Sequence, residues 1–250
     1  MPPRIALVTG AGRGIGQATA RQLLQKGYRV VAVDRGGIAP DTLPDGIDPD
    51  HLRVGKLDVT DAKAVIRLRD DVLREWGPIG ILVNNAGVSP KRANGASAGI
   101  LEIDPDEWAF VLSVNLTAVL RLSQAVLPMM RDAGWGRIVN VSSLAGRSKS
   151  LVAGGSYMAS KAGVLGLTRA IASEMGPLGV TANAVAPGRI LTEMAMQAGP
   201  EVNRRYAEQI PVRRLGTTDE VAAAILFLAS EEAGFINGAV IDINGGFYMP

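Results

Sequence analysis

The stretch Ile5-Ala6-Leu7-Val8-Thr9-Gly10-Ala11-Gly12-Arg13-Gly14-Ile15-Gly16 decides the fold. Its first five residues form an apolar run typical of a buried strand, and a helical pattern begins at Gly14. Glycines here permit positive φ angles and let the backbone approach a pyrophosphate, whose charge is favoured by the amides and dipole of a helix N-terminus. The spacing lacks the Gly-Lys-Ser/Thr that a P-loop requires. A tight connection between strand and helix, without any ligand, is the alternative interpretation.

Similar apolar runs alternate with helical patterns along the whole chain. This alternation predicts an α/β fold, a doubly wound parallel sheet (Rossmann-type) of about seven strands with helices on both faces. The predicted strands are 5–9, 29–34, 52–59, 79–84, 137–142, 180–186 and 239–243, and the predicted helices are 14–26, 61–76, 106–131, 156–175 and 218–229. A length of 250 residues with 47% hydrophobic content fits a single domain over 1–250. Its ligand is expected at the carboxyl ends of the strands.

The composition argues against several classes of function. The chain has one histidine, His51, and no cysteine, whereas Ser-His-Asp hydrolases need an imidazole and zinc sites draw on several Cys and His residues. His51 lies in a polar stretch, so we expect neither a catalytic role for it nor a metal site. A net charge of +2 and 4% aromatic residues do not favour nucleic-acid binding. The sequence shows neither an 18-residue apolar run nor a signal-peptide core, so we expect a cytoplasmic protein without a membrane span.

An acidic residue follows the glycine turn at the distance that a dinucleotide site needs. Asp34 ends the second predicted strand, 20 residues after Gly14, where a carboxylate is expected to bind the adenosine ribose hydroxyls. It repels a 2′-phosphate, which favours NAD over NADP, whereas Arg13 and Arg35 offer guanidinium groups that would bind that phosphate. Asp58, at the end of the third predicted strand, is either near the adenine or a cap of the following helix.

Tyr157 and Lys161 form the one plausible proton-transfer pair in a chain so poor in histidine and cysteine. Positions i and i+4 share a helix face, so the lysine ammonium is expected beside the phenol. A neighbouring cation stabilises the phenolate and is therefore expected to lower the phenol pKa from its ordinary value near ~10. A tyrosine with a lysine four residues later also arises by chance, so this spacing alone is weak evidence of catalysis.

Two predicted helices contain fewer charged residues than a solvent-exposed helix normally has. The helix 156–175 contains only Lys161, Arg169 and Glu174 as charged residues, and 111–130 contains only Arg121. A helix that is apolar most of the way round is buried against more than one neighbour. We therefore expect a homo-oligomer, a dimer or a tetramer.

Several motifs together resemble those of the short-chain dehydrogenase/reductase family, in its compact single-domain branch. The resemblance extends over essentially the whole chain, and the matching motifs occur in the family's order. They are the glycine turn 9–16, Asn84-Asn85-Ala86-Gly87, Asn115, Ser143 within Val141-Ser142-Ser143-Leu144-Ala145-Gly146, Tyr157 with Lys161, Pro187-Gly188 with Thr192, and Gly245-Gly246.

The resemblance implies a role for each residue of a catalytic tetrad. Tyr157 would be the general acid/base, and Ser143 would polarise the substrate oxygen, with Ser142 as its rival. Lys161 would hold the nicotinamide ribose, and Asn115 would support a water linking Lys161 to solvent. The implied NAD(P)-binding residues are Gly10, Arg13, Gly14, Ile15, Gly16, Asp34, Arg35, Asp58, Val59, Asn85, Ala86, Gly87, Tyr157, Lys161, Pro187, Gly188, Ile190 and Thr192.

Three segments are expected on the substrate side: 88–104, 147–155 and a lid over 189–210. The cations in these segments could recognise a carboxylate or a phosphate on the substrate. The alternative interpretation is that they are ordinary solvated charges of surface loops. The candidate substrate-binding residues are Ser143, Lys91, Arg92, Arg147, Lys149 and Met194.

The sequence therefore predicts an NAD(P)-dependent oxidoreductase that transfers a hydride between nicotinamide and a small-molecule substrate, a secondary alcohol or ketone. An alternative within the same class is a 3-oxoacyl-carrier-protein reductase. A non-catalytic nucleotide-binding regulatory module is the alternative from another class.

Overall fold

The computed structural model describes residues 3–39, 48–150, 152–196 and 199–250, without the side chain of Met194. In these ranges seven strands form one parallel sheet in the order β3-β2-β1-β4-β5-β6-β7. The strands are β1 Ile5–Thr9, β2 Arg29–Asp34, β3 Leu52–Lys56, β4 Ile79–Asn84, β5 Gly136–Val141, β6 Val180–Pro187 and β7 Val240–Ile243. The doubly wound parallel sheet predicted from the sequence is confirmed.

Helices connect the strands as crossover elements. They are α1 Gly14–Gln25, α2 Ala62–Glu75, α3 Pro105–Leu112, α4 Ala118–Asp132, α5 Gly155–Met175, α6 Glu193–Met196, α7 Pro200–Gln209 and α8 Thr218–Leu228. Local signals set several helix starts. The Asp61 side chain accepts from the Ala64 amide at 3.0 Å at the start of α2, and Thr217 forms a capping box with Glu220 at the start of α8.

Two apolar cores lie on opposite faces of the sheet. One includes Val65 of α2, Leu122 of α4 and Ile171 of α5, and the other includes Leu23 of α1 and Ile225 of α8. Because both faces are covered, the central strands are apolar throughout rather than alternating. This explains why they appear in the sequence as continuous hydrophobic runs.

The predicted helix 106–131 is interrupted in the structure. A π-helical turn at Ser113–Thr117 separates α3 from α4, and such turns are frequent at functional sites. The whole helical segment Pro105–Asp132 is apolar and long enough for a membrane span, but half of its most apolar window is buried inside the protein, as in a core helix.

Other departures from the prediction are local. The third strand ends at Lys56 rather than at residue 59, so Asp58 and Val59 lie in the loop beyond it. The predicted lid contains the two helices α6 and α7, which the sequence patterns did not predict as helices.

The strand order places a topological switch point beside β1. The chain crosses from β1 to β2 on one side and reaches β4 on the other, so the loops after β1 and β4 part in opposite directions. A ligand crevice is expected between such loops.

Candidate active site

A cleft of about 1430 Å³ opens at the carboxyl ends of the strands. This exceeds the range of roughly 300–1,000 Å³ of ordinary small-molecule pockets, which leaves room for a dinucleotide and a substrate together. Most of the predicted residues line it: Gly10, Arg13, Gly14, Ile15, Asp34, Arg35, Asp58, Val59, Asn85, Ala86, Gly87, Lys91, Arg92, Ser143, Lys149, Tyr157, Lys161, Pro187, Gly188, Ile190 and Thr192. His51 does not line the cleft and lies in the turn Pro49–His51 before β3.

The glycine turn fits a pyrophosphate by its backbone. Gly14, the first residue of α1, has a φ of 59°, which side-chain-bearing residues rarely adopt. A Cβ at Gly16 would lie 2.2 Å from the Gly10 carbonyl oxygen, so only glycine permits the helix to start this close to β1. Gly16 does not line the cleft and shapes the turn from behind, so its contact with the cofactor stays a prediction.

The loops after β1 and β4 are joined by hydrogen bonds. The Thr9 hydroxyl accepts from the Asn85 and Ala86 amides, each at 3.1 Å. The Asn85 side-chain amide donates to the carbonyls of Thr9 at 2.9 Å and Gly10 at 3.0 Å. The Asn85 side chain thus holds the floor of the cleft together.

The end of the cleft beside the glycine turn carries the carboxylates of Asp34 and Asp58. Asp34 accepts from the Gly12 amide at 3.2 Å and the Gly36 amide at 2.9 Å, and these bonds hold its carboxylate at the glycine turn. Asp58 accepts from the Thr60 amide at 2.9 Å and hydroxyl at 2.7 Å, bonds that lower its pKa. Asp58 does not cap α2, since Asp61 has that role.

Arg13 forms an ion pair across the cleft. Its guanidinium lies 2.8 Å from Glu193 of α6, and both side chains are about two-thirds exposed. Arg13 would have to leave this partner to bind a 2′-phosphate, whereas Arg35 lines the cleft beside Asp34.

Tyr157 lies in the first turn of α5, opposite Ser143, which follows β5. Burial raises the phenol pKa, and a hydrogen bond with the Ser143 side chain opposes this shift. Ser143 lines the cleft. Ser142 also lines the cleft, but its hydroxyl is buried and donates to the Lys161 carbonyl at 2.8 Å. The structure therefore favours Ser143 over Ser142 as the serine that faces a substrate.

Lys161 lies one turn further along α5 and is 4% exposed. Its ammonium donates to the Val141 carbonyl at 2.7 Å and lies 5.8 Å from the centre of the Tyr157 ring. Burial lowers the Lys161 pKa to about 8. Lys161 does not produce the expected lowering of the phenol pKa. The reason is that the ammonium is directed to Val141 and burial dominates the titration of the phenol.

Asn115 lies in the π-helical turn and is fully buried. Its side-chain amide donates to the Val88 carbonyl at 2.9 Å and the Ser160 hydroxyl at 3.1 Å, and its oxygen accepts from the Val88 amide at 2.8 Å. Asn115 does not line the cleft. Its side chain therefore joins α5 to the segment after β4, and its support of a water beside Lys161 stays a prediction.

The predicted substrate residues separate into three groups. Arg147 does not contact the cleft, contrary to prediction. It pairs with Asp242 at 3.1 Å and stacks over Tyr248. Arg92 lines the cleft, but Glu102 neutralises it at 2.9 Å. Lys91 and Lys149 line the cleft as predicted, whereas the Met194 side chain lies outside the described part of the structure.

Arg189 and Phe247 also line the cleft; Arg189 was expected only as the first residue of the lid 189–210, without a role of its own, and Phe247 was not predicted. Arg189 directly follows Pro187-Gly188, so its position after the nicotinamide motif was the available signal. Phe247 lies near the C-terminus, and its ring packs 5.8 Å from that of Tyr206 in α7. This contact brings the C-terminal segment to the cleft. The sequence does not show it, because the contact depends on the tertiary fold.

Comparisons with known proteins agree with the geometry of the cleft. A family model described as enoyl-(acyl carrier protein) reductase matches residues 10–248. An acetoacetyl-CoA reductase of Shinella zoogloeoides is 42% identical over 98% of this chain and 99% of its own length. A 3-oxoacyl-[acyl-carrier protein] reductase of Brucella melitensis has a TM-score of 0.90 at 36% identity, covering 99% of this chain and 92% of that one. Another Brucella melitensis structure of that name contains bound NAD, with a TM-score of 0.88, 36% identity and the same coverage.

These matches span the whole fold, and the motifs predicted from the sequence line one cleft at the switch point of the sheet. The chain belongs to the short-chain dehydrogenase/reductase family of NAD(P)-dependent oxidoreductases.

Proposed function

We propose that this protein catalyses reversible hydride transfer between NAD(H) and a secondary alcohol or ketone, with Tyr157 as the general acid/base. The observation that carries the proposal is the placement of Ser143, Tyr157 and Lys161 in the same cleft as the glycine turn. When bound, the nicotinamide supplies or accepts the hydride.

The side chains have separate tasks in this proposal. During reduction, the Tyr157 hydroxyl gives its proton to the ketone oxygen while the Ser143 hydroxyl donates a hydrogen bond to the same oxygen. During alcohol oxidation, Tyr157 accepts that proton. Lys161 holds the nicotinamide ribose, and Asn115 positions the segment at Val88 through the bonds described above.

NAD is the proposed cofactor, because Asp34 presents a carboxylate at the adenosine end of the cleft. A 2′-phosphate there would place like charges together at the glycine turn. Arg35 is the cation that would have to compensate for this repulsion if NADP were used.

Replacing Asp34 is expected to shift the cofactor preference. We expect Asp34→Asn to lower the ratio of kcat/KM for NAD to that for NADP by about 10- to 100-fold, the worth of a hydrogen bond to a charged group. Because asparagine retains an acceptor for the Gly12 amide, this variant separates the loss of charge from disruption of the turn. Asp34→Ala is the comparison that removes both. An unchanged ratio in Asp34→Asn would show that carboxylate repulsion does not set the preference.

The substrate is proposed at the level of a small to medium compound with a keto or hydroxyl group. The names of the acetoacetyl-CoA and 3-oxoacyl-carrier-protein reductases support a 3-oxoacyl thioester as a second candidate. A screen of polyols, hydroxy acids, ketones and acyl thioesters with both cofactors, followed by NADH or NADPH absorbance, distinguishes these classes. A regulatory module without turnover would bind the cofactor yet reduce or oxidise none of them.

We also propose a cytoplasmic homo-oligomer. Trp108 and Phe110 of α3 and Leu120 of α4 are each about 40% exposed, which leaves apolar surface on helices that already pack on the sheet. Light scattering after size-exclusion chromatography at micromolar concentration is expected to give a dimer or a tetramer. A monomer at that concentration would contradict this expectation.

A further inference from the structure

Two cations on the substrate side of the cleft are held by neutral acceptors. The Lys91 ammonium donates to the Ser97 hydroxyl at 2.8 Å and to the Val152 carbonyl. The half-buried Arg189 guanidinium donates to the Asn203 side-chain oxygen at 3.0 Å and the Ala195 carbonyl at 2.9 Å. These bonds fix the positions of both cations but leave their charges uncompensated.

Packing brings the two cations to the same part of the cleft. Val152, whose carbonyl accepts from Lys91, packs in an apolar cluster with Tyr206 of α7. The Arg189 guanidinium lies over the Tyr206 ring, 5.2 Å from its centre. Lys91 and Arg189 therefore both border this apolar cluster, Lys91 through Val152 and Arg189 through Tyr206, and they reach it from the loop after β4 and the loop after β6.

The acids that line the cleft and the cations of its substrate side differ in their partners. Among the described lining residues the acids are Asp34 and Asp58 at the adenosine end and Glu193, which Arg13 neutralises. The cations of the substrate side are Lys91, Arg92, Lys149 and Arg189, of which only Arg92 has an acidic partner in the described structure. A partly desolvated charge without a counter-ion is costly, and a bound anion would relieve that cost.

We propose that the substrate carries an anionic group, a carboxylate or a phosphate, that binds between the Lys91 ammonium and the Arg189 guanidinium. This inference rests on the proposed function, since it assigns the substrate class of the same cleft. The planar guanidinium offers two parallel donors to such a group, and the ammonium adds a point charge. Lys149 adds a third, exposed cation at the rim.

The titration of Lys91 is consistent with this arrangement. Partial burial lowers its pKa, and the positive charge of Arg189 lowers it further. The two cations therefore influence each other electrostatically, as two ligands of one anion would.

The test compares matched anionic and neutral ligands on the enzyme in complex with NAD(H). The pairs are acetoacetate with methyl acetoacetate and dihydroxyacetone phosphate with dihydroxyacetone, and acetoacetyl-CoA represents thioesters. Calorimetry gives binding and nucleotide absorbance gives turnover. We expect the anion of at least one pair to bind about 10- to 100-fold more tightly than its neutral partner. The preferred pair distinguishes a carboxylate from a phosphate.

Lys91→Met and Arg189→Met are each expected to remove most of that preference while the neutral ligand binds as before. Arg189→Lys, which retains the charge, is expected to restore part of it. Arg205→Gln is the matched control, because Arg205 lies on α7 but pairs with Glu201 outside the cleft lining. NAD affinity measured for each variant verifies that the fold is intact.

Equal binding of both members of every pair would overturn the inference, as would variants that weaken anionic and neutral ligands alike. The inference would also be overturned if acetoacetyl-CoA bound more tightly than methyl acetoacetate and neither Met substitution reduced that difference. If the anion preference depends on Lys91 and Arg189 but no ligand is turned over, the anion site stands and the proposed catalytic function fails.

Discussion

Tyr157→Phe is expected to lower kcat for ketone reduction and alcohol oxidation by about 10³-fold, within the range that general acid–base catalysis contributes. The substitution removes the hydroxyl and leaves the ring that packs in the first turn of α5. The cleft offers no histidine or cysteine to replace it, because the chain has neither a cysteine nor a histidine other than His51, which lies in the turn before β3. Loss of the proton donor should therefore not be compensated.

Cofactor binding gives the contrasting measurement for this variant. The glycine turn and Asp34 do not depend on the phenol, so the NADH affinity measured by fluorescence should change by no more than about twofold, a few tenths of a kcal/mol. Tyr248→Phe is the matched control, because Tyr248 stacks with Arg147 and does not line the cleft. Full activity in Tyr157→Phe would exclude the proposed mechanism. Loss of both activity and NADH binding would indicate a structural role instead.

The fold was predictable from the sequence because both faces of the sheet are covered. Continuous apolar runs such as that of β1 are typical of buried parallel strands, and their alternation with helical patterns restricts the topology. Element ends were less predictable. Asn115 of the π-helical turn Ser113–Thr117 bonds to Val88 and Ser160, which are distant in sequence, and a local pattern does not show such contacts.

The positions of site residues were predictable where a sequence motif fixes the backbone conformation. They were less predictable where a long side chain can pair with any of several neighbouring groups. The glycine turn and the pair of Tyr157 and Lys161 line the cleft as predicted. Arg147 was assigned to the substrate from its position in a loop, yet Asp242 of β7 binds it. A cation in a loop has several acids within reach of its long side chain, and the sequence does not show which of them is near.

Arg189 illustrates the opposite case. Its sequence context marks it only as the first residue of the predicted lid, directly after Pro187-Gly188. In the structure its guanidinium donates to Asn203 and Ala195 and lies over the ring of Tyr206, so all three contacts are within the lid. Its proximity to Lys91 depends on packing between segments that are nearly 100 residues apart in the chain.

Lys161→Met is expected to abolish most activity and, at neutral pH, to stabilise the protein. Methionine approximates the shape of the lysine stem, so packing within α5 is retained. Loss of the ammonium removes the group that would hold the nicotinamide ribose, and we expect kcat/KM to fall by about 10²- to 10⁴-fold. In the wild-type enzyme, kcat/KM for reduction is expected to fall as pH rises through about 8, where the Lys161 ammonium loses its proton. The residual activity of the variant should lack this dependence.

The stability difference follows from the same titration. The pKa of Lys161 is about 8 in the folded protein against an ordinary value of 10.5, so between these values the unfolded chain binds more protons than the folded one. The free energy of unfolding of the wild type should then rise with pH in this interval, relative to Lys161→Met. From pH ~7 to ~10 we expect a relative gain of roughly 2 to 3 kcal/mol, since one pKa unit corresponds to about 1.4 kcal/mol.

Urea unfolding of both proteins at the two pH values measures this change directly. Lys63→Met is the matched control, because Lys63 is exposed on α2 and this variant retains Lys161, so it should gain as much stability over Lys161→Met at high pH as the wild type does. A wild-type protein that gains nothing over Lys161→Met at high pH would mean that burial does not destabilise the ammonium. A gain of the expected size, together with the lost activity, would show that the protein retains a charge in an unfavourable environment because its chemistry requires that charge.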